Sequence, residues 1–418
     1  MKLHELMRRE NFPSVFIDTL GEHLQSRSGW QGEIIWGTHG SDVDLNLLVN
    51  SRLNIIYPVS MSKKSLMPFV AEYAYHKNPL RRFLHQLYIN ITLAPLLRYF
   101  FSSAKIYITK YSEFPAKICI LPGNHSIRLI DLDLNRCLVL AKKGYGVRKL
   151  KNAVSSRLAY PTLPGPRIVE SNIDEGWYLE ERICGLPVDR IESESKINGS
   201  LSAAKSFLLD MYDDTATSET ALTWVKEKFQ ELDLAIDSLP RCFKKADIRD
   251  LQLIKGQLET LSGMVIDSEY LVSIALTHGD FQSANLLVPS ADKSRDVYII
   301  DWEYAGRRCS HYDWFVYGLR SRSSKGLASK VDSLLCCDIA ERSTLDWYDF
   351  SNINLSELRV LLILFLIDEF LFRLDDSSLP NLEHIPVGFL DFIGEIKMIT
   401  NMFVIKLKKG DDEEETSN

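Results

Sequence analysis

The chain has 418 residues, 45% of them hydrophobic and 25% charged, and a formal net charge of −7. Such fractions suit a globular protein of two or three domains, with any disorder confined to the ends. The acidic balance argues against a general nucleic-acid binder, which needs a basic face to neutralise phosphates, although Ala141 to Lys151, AKKGYGVRKLK, carries five cations and no carboxylate.

The opening stretch MKLHELMRRENFPSV sets charges where a signal peptide needs an apolar run. Seven cysteines (Cys119, Cys137, Cys184, Cys242, Cys309, Cys336, Cys337) are scattered with no CxxC pairing. Reduced thiols and a cytoplasmic location are therefore expected, rather than a disulfide framework or a zinc site. GEIIWG and then GSDVDLNLLVN read as strand, Gly-rich loop, strand, with helix from about Leu66. Residues 1–110 are expected to form an accessory α/β domain.

On the second of those strands Asp42 and Asp44 alternate, so both carboxylates share a face. They partly resemble the metal-binding pair of polymerase-beta-type nucleotidyltransferases. That family's third carboxylate is not identifiable, and a polar loop running into a half-buried strand is the preferred reading. FLHQLYINITLAPLLRYFF, Phe83 to Phe101, contains His85, Pro95 and Arg98; it reads as a packed helix pair rather than an interfacial anchor.

From Lys117 short β-branched and aromatic runs bounded by Gly, Pro and Asn predict a small antiparallel sheet over 111–185. VRKLKNAVSSRLAY within it reads as one helix ending before Pro161. Helices dominate 186–408. Leu222, Val225, Phe229 and Leu232 recur at helical spacing as a core stripe, and RVLLILFLIDEFLFRL, cut by Asp368 and Glu369, reads as a buried helix rather than a membrane span. The charged end, 409–418, is expected to be disordered.

LTHGDFQSANLLV and YIIDWE set polar groups between apolar runs. Phosphoryl transfer from a nucleotide needs a carboxylate to orient the attacking hydroxyl and oxygen ligands for Mg²⁺; Asp280 can supply the first, Asn285 and Asp301 the second. HGDFQSAN followed by IIDWE resembles the catalytic and metal-binding loops of the aminoglycoside phosphotransferase and choline kinase-like family, relatives of the protein kinases. The resemblance implies an α+β, protein kinase-like bilobal fold: a small antiparallel-sheet lobe (111–185) and a larger helical lobe (186–408), here preceded by the extra domain. It makes Asp280 the catalytic base or orienting carboxylate, Asn285 and Asp301 the magnesium ligands, His278 a loop-holding residue, and Asp313 a brace beneath the loop. Gly279 stands where protein kinases usually place an Arg, which favours a small-molecule acceptor over a protein.

The same resemblance places a phosphate loop at ILPGNHSIRLI, with Gly123 and Asn124, against a plain hairpin turn as the structural alternative. It places a phosphate-contacting lysine at Lys142 or Lys143, which strand alternation sends to opposite faces. It places adenine contacts at about Glu181 to Ile183. One departure stands out: the helix after the lysines has no acid, with Ala153 where a Glu is expected, so Asp131 or Asp133 must substitute or the lysine is oriented otherwise.

The implied function is an ATP- and Mg²⁺-dependent phosphotransferase acting on a hydroxyl of a small molecule such as a sugar or glycan precursor. Neither nucleic acid nor peripheral membrane contact is expected as a partner. The alternatives are a catalytically silent nucleotide-binding scaffold and a bifunctional protein with a nucleotidyltransferase-like N-terminal domain.

Overall fold

The computed structural model describes residues 3–37, 44–76, 78–110, 117–290, 295–323, 325–336, 353–379, 382 and 384–416, with side chains except at 72 and from 407 onward. Asp42 and Cys337 lie outside them. The chain divides into two units, Met1–Ile197 with Leu287–Glu303, and Asn198–Leu286 with Tyr304–Asn418.

The first unit is built on one sheet of nine strands: β1 (Ile34–Trp36), β2 (Leu45–Asn50), β3 (Ile55–Pro58), β4 (Ala104–Ile108), β5 (Ile118–Pro122), β6 (Ser126–Asp131), β7 (Arg136–Ala141), β8 (Ile168–Asn172) and β9 (Trp177–Glu181). Their order is β1-β4-β2-β3-β5-β6-β7-β9-β8. The boundary expected at 110 runs through this sheet, because β3 pairs antiparallel with β5. Two N-terminal helices, Leu3–Arg9 and Phe12–Ser28, cover one face. Their Leu6, Phe12, Phe16 and Leu20 join Leu47 and Ile106 of the early strands and Ile120, Leu129 and Leu140 of the later ones in one apolar cluster. The early strands thus share this cluster with the later ones.

Register fixes which side chains share that cluster. Ile127 lies opposite Leu140 and Leu129 opposite Leu138, whereas Arg128 lies opposite Val139; by the alternation of a strand the last pair belongs to the other face. The second N-terminal helix carries Pro in its first turn and stops at Gly29, whose φ of 65° closes the helix in the left-handed conformation. The predicted helix before Pro161 is present as Arg148–Ala159. Strands Gly185–Pro187, Leu286–Pro289 and Tyr298–Ile299 make a separate small sheet.

The segment Phe83 to Phe101 differs from its expectation. Its helix, Pro79–Thr92, is present and capped by the Asn78 side chain on the amides of Leu80 and Arg81, but Leu80, Phe83, Leu84, Leu87 and Ile91 are exposed rather than packed. The apolar period marks a helix whose inward face is instead His85, Tyr88, Ile89 and Thr92.

The second unit is mainly helical: Glu194–Thr215, Ala221–Asp237, Lys245–Val265, Tyr312–Gly318, Leu327–Cys336, Leu355–Ser377 and Val387–Thr416. Val225, Phe229 and Leu232 are buried as the stripe predicts, while Leu222, in the first turn of its helix, is exposed. Helix Leu355–Ser377 is buried over most of its surface, Asp368 and Glu369 included. Among the described residues no helix is long and apolar enough to cross a membrane. The last helix reaches Thr416, into the charge run for which disorder is predicted. A small antiparallel sheet, Thr217–Thr220, Leu271–Thr277 and Gly306–Cys309, leads directly into the loop that begins at His278.

Candidate active site

In the second unit, strand Leu271–Thr277 delivers the chain to His278, and the following backbone is held by one side chain. The Asp313 carboxylate accepts from the amides of His278 (2.7 Å) and Gly279 (2.9 Å) and from the Tyr212 hydroxyl (2.9 Å). Asp313 is fully buried in the first turn of Tyr312–Gly318, so three hydrogen bonds offset its desolvation. His278 is fully buried; its Nδ1 accepts from the Asp280 amide at 3.2 Å and its ring meets the edge of Phe281. Both of these ring contacts lie within the loop itself.

Gly279 has a backbone reason to be glycine. Its φ is 83°, and a Cβ there would lie 2.1 Å from the Tyr304 carbonyl oxygen. The residue type is set by that close approach as well as by whatever an Arg would have read.

The Asp280 carboxylate is gripped from several directions. Asn285 Nδ2 donates to Oδ2 at 3.0 Å and to the Asp280 carbonyl at 2.8 Å; Gln282 Nε2 donates at 3.1 and 3.0 Å. Arg322 Nε donates to Oδ1 at 2.6 Å. The same guanidinium also donates to the Gly279 carbonyl and to Glu369, and lies over the Phe372 ring at 3.6 Å. Arg373 bonds the other Glu369 oxygen at 3.0 Å. Burial pushes Glu369 upward, but Arg322 and Arg373 outweigh it and hold its carboxyl below the usual range. Asp280 thus ends a buried chain of alternating charge.

Asn285 spends its amide N–H groups on Asp280, which leaves its oxygen as the atom available to a cation. In the first unit, Asp301 adopts a left-handed φ of 69°, a conformation Asp tolerates better than most residues, and its Oδ1 accepts from Arg128 NH2 at 2.7 Å. Both residues offer hard oxygen donors of the kind Mg²⁺ takes. Among the described residues no group of three or more His, Cys, Asp or Glu side chains could hold a metal by itself.

Neither predicted lysine stands on the Arg128 face. Strand β7 ends at Ala141, one residue short of Lys142. Lys142 turns into the helix-covered side, where its Nζ lies 2.6 Å from Glu10 and 3.1 Å from the Asn124 carbonyl, beside the Phe12 and Tyr145 rings. Burial lowers its pKa to about 8, only partly countered by Glu10. Lys143 pairs at the surface with Glu22 at 2.5 Å, and its amide donates to Thr19. The lysine's acidic partner is therefore Glu10, ahead of the second helix, and not Asp131 or Asp133. Asp131 accepts from the amides of Asp133 and Leu134, and Asp133 pairs with Lys117. Ala153 is buried, and the charge on its helix is reversed: Arg157 donates to Glu180 of β9 at 2.5 Å.

The remaining predicted contacts, Gly123, Asn124, Glu181 and Ile183, all lie in the first unit. Gly123 sits in the β5–β6 turn, its amide bonded to the Ser126 carbonyl; a Cβ would lie 2.9 Å from that oxygen, so the glycine serves a hairpin. The Asn124 carbonyl accepts from Lys142 and Arg9. The Glu181 amide donates to Arg167 and its carboxylate pairs with the same residue. Glu181 and Ile183, with Arg136, Arg182 and Tyr298, line an open groove of about 500 Å³, large enough for a small molecule. On the Arg128 side of the sheet His125, Val139, Ala141, Lys149, Ala153 and Glu303 enclose a cavity of only about 20 Å³, room for about one water. Asp44 is exposed, just ahead of β2.

Sequence reasoning missed Glu10, Arg128, Arg322 and Glu369. One signal was available: an acid inside an apolar helix needs a cation, and Arg322 and Arg373 both pair with Glu369.

No family model matches the chain, and no curated protein matches it. Solved structures similar to it are aminoglycoside phosphotransferases and choline kinases. The choline kinase LicA from Streptococcus pneumoniae is 13% identical over 68% of this chain and 94% of its own, at a TM-score of 0.43. Aminoglycoside phosphotransferase APH(4)-Ia is 14% identical over 68% and 93%, at 0.42. Aminoglycoside phosphotransferase APH(3'')-Id from Streptomyces rimosus is 14% identical over 60% and 91%, at 0.38. These are the families that the loops around Asp280 and Asp301 resemble.

Proposed function

We propose that the chain is a phosphotransferase that moves the γ-phosphoryl group of ATP to a hydroxyl of a small molecule such as a sugar or glycan precursor. The observation that carries this reading is the Asp280 carboxylate, fixed by Asn285, Gln282 and Arg322 on a loop that Asp313 holds by two amides. A loose phosphoryl-transfer transition state asks for positioning more than for a strong base, and a carboxylate pinned this firmly orients a hydroxyl. Asp280 accepts the acceptor's O–H and points its oxygen; His278 and Asp313 keep the loop in place. Asn285 and, separately, Asp301 are the oxygen donors that the loop resemblance would assign to Mg²⁺, which would neutralise phosphate charge. Arg128, beside Asp301, takes the phosphate-facing role expected of Lys142 or Lys143.

Asp280→Asn is expected to lower transfer from labelled ATP by roughly 10²–10⁴-fold while ATP still raises the melting temperature. Undiminished turnover in that variant, across a panel of hydroxyl acceptors, would overturn the assignment. The engagement of Lys142 by Glu10 favours a second reading, a nucleotide-binding protein without turnover. An ATP-dependent thermal shift with no transfer to any acceptor selects it.

A further inference from the structure

Helix Pro79–Thr92 and the turns that follow it present an apolar surface outward. Leu80 is 66% exposed and Phe83 60%, and Leu84, Leu87 and Ile91 continue the same stripe at helical spacing. Beyond the helix, Leu96 and Phe100 are each 83% exposed, with Leu97, Tyr99 and Phe101 beside them. This display is anchored from beneath. Buried Arg98 donates to the carbonyls of Val59 and Met61 (2.9 Å each) and Leu93 (3.3 Å), while Tyr88 packs on Tyr73 and Phe101.

Within the segment itself the charge has one sign. Between Glu72 and Glu113 the sequence contains no Asp or Glu but six cations, Lys77, Arg81, Arg82, Arg98, Lys105 and Lys110, in a chain whose net charge is −7. Arg81 is exposed next to the stripe, and Lys105 lies over the Tyr99 ring. Arg82 pairs with exposed Glu192 at 3.4 Å.

We propose that this surface docks on an anionic lipid bilayer, with Leu96, Leu97, Phe100 and the helix stripe entering the headgroup boundary. Apolar side chains displayed on a firm base, in a segment that carries cations and no acid of its own, complement such a membrane in both polarity and charge. Protein interfaces draw most of their energy from Trp, Tyr and Arg, with Leu under-represented; the most exposed residues here are Leu and Phe. This inference concerns binding and is independent of the phosphotransfer reading.

The test is flotation of the full chain with vesicles of phosphatidylcholine alone or with added phosphatidylglycerol. Binding to the anionic vesicles is expected, weakened by salt and by Arg81→Glu, and lowered by roughly tenfold or more by Leu96→Ser with Phe100→Ser. The thermal melt of the double variant should match the parent; Leu84→Ser with Leu87→Ser serves if it does not. Absence of flotation with either vesicle overturns the proposal, as does binding that both pairs of substitutions leave unchanged. A dimer in light scattering that the substitutions dissociate, without flotation, reassigns the face to a second copy of the chain.

Discussion

The two residues next to each other at the heart of the candidate site, Gly279 and Asp280, are fixed by different forces. Asp280 is held by side chains, and Gly279 by the 2.1 Å that a Cβ would leave to the Tyr304 carbonyl. Gly279→Ala is therefore expected to destabilise the chain by at least about 1–3 kcal/mol and to lower turnover, read by urea denaturation and phosphate-transfer assay together. Arg128 is the other residue whose identity decides something. If it faces phosphate, Arg128→Met should weaken ATP binding by about tenfold or more, whereas Lys143→Met, which removes only an exposed pair with Glu22, should leave the titration unchanged. The loop stood out in the sequence because HGDFQSAN followed by IIDWE resembles a known pair of loops, and Asp280 and Asn285 are in contact in the structure. Arg128 was not, since an Arg inside a strand carries no signal until register assigns its face.

At the scale of elements, the N-terminal helices change the meaning of the strand they cover. Lys142 reads in sequence as the end of a strand that enters a nucleotide site; it is instead buried against Glu10, on the helix-covered face that Leu140 occupies two residues earlier. Glu10→Ala would leave a buried cation unpaired and should cost about 3–5 kcal/mol. Lys142 also makes stability depend on pH. Its folded pKa of about 8 lies below the ordinary 10.5, so within that window the unfolded chain binds more protons and stability rises with pH. Urea denaturation at the two ends of the window should show the rise in the parent and its loss in Lys142→Met. Secondary structure here was largely readable from period and punctuation, as the helix before Pro161 shows. The inward face of helix Pro79–Thr92 was not, because its exposed stripe is more apolar than its packed one, and periodicity alone cannot say which stripe is covered.

For the whole molecule, the partition of the chain was the least legible feature. Composition shifts near residue 110, but strand pairing does not respect the shift, and long-range pairing leaves no local trace in sequence. A separable N-terminal domain predicts that the rest of the chain folds without it. The shared core predicts the reverse: deletion of residues 1–28 uncovers Ile120, Leu129 and Leu140 together, and the shortened chain should lose its cooperative melt and its soluble yield. The nine-stranded sheet also acts as a ruler. From β4, which follows the lipid-facing segment, to β6, which carries Arg128, there are four steps in the strand order, roughly 19 Å at ordinary strand spacing. Hydrogen-bonded strands do not stretch, so attachment at one end sets a standoff at the other. Arg128 and Asp301 would then work at a fixed height above the surface to which the chain is moored.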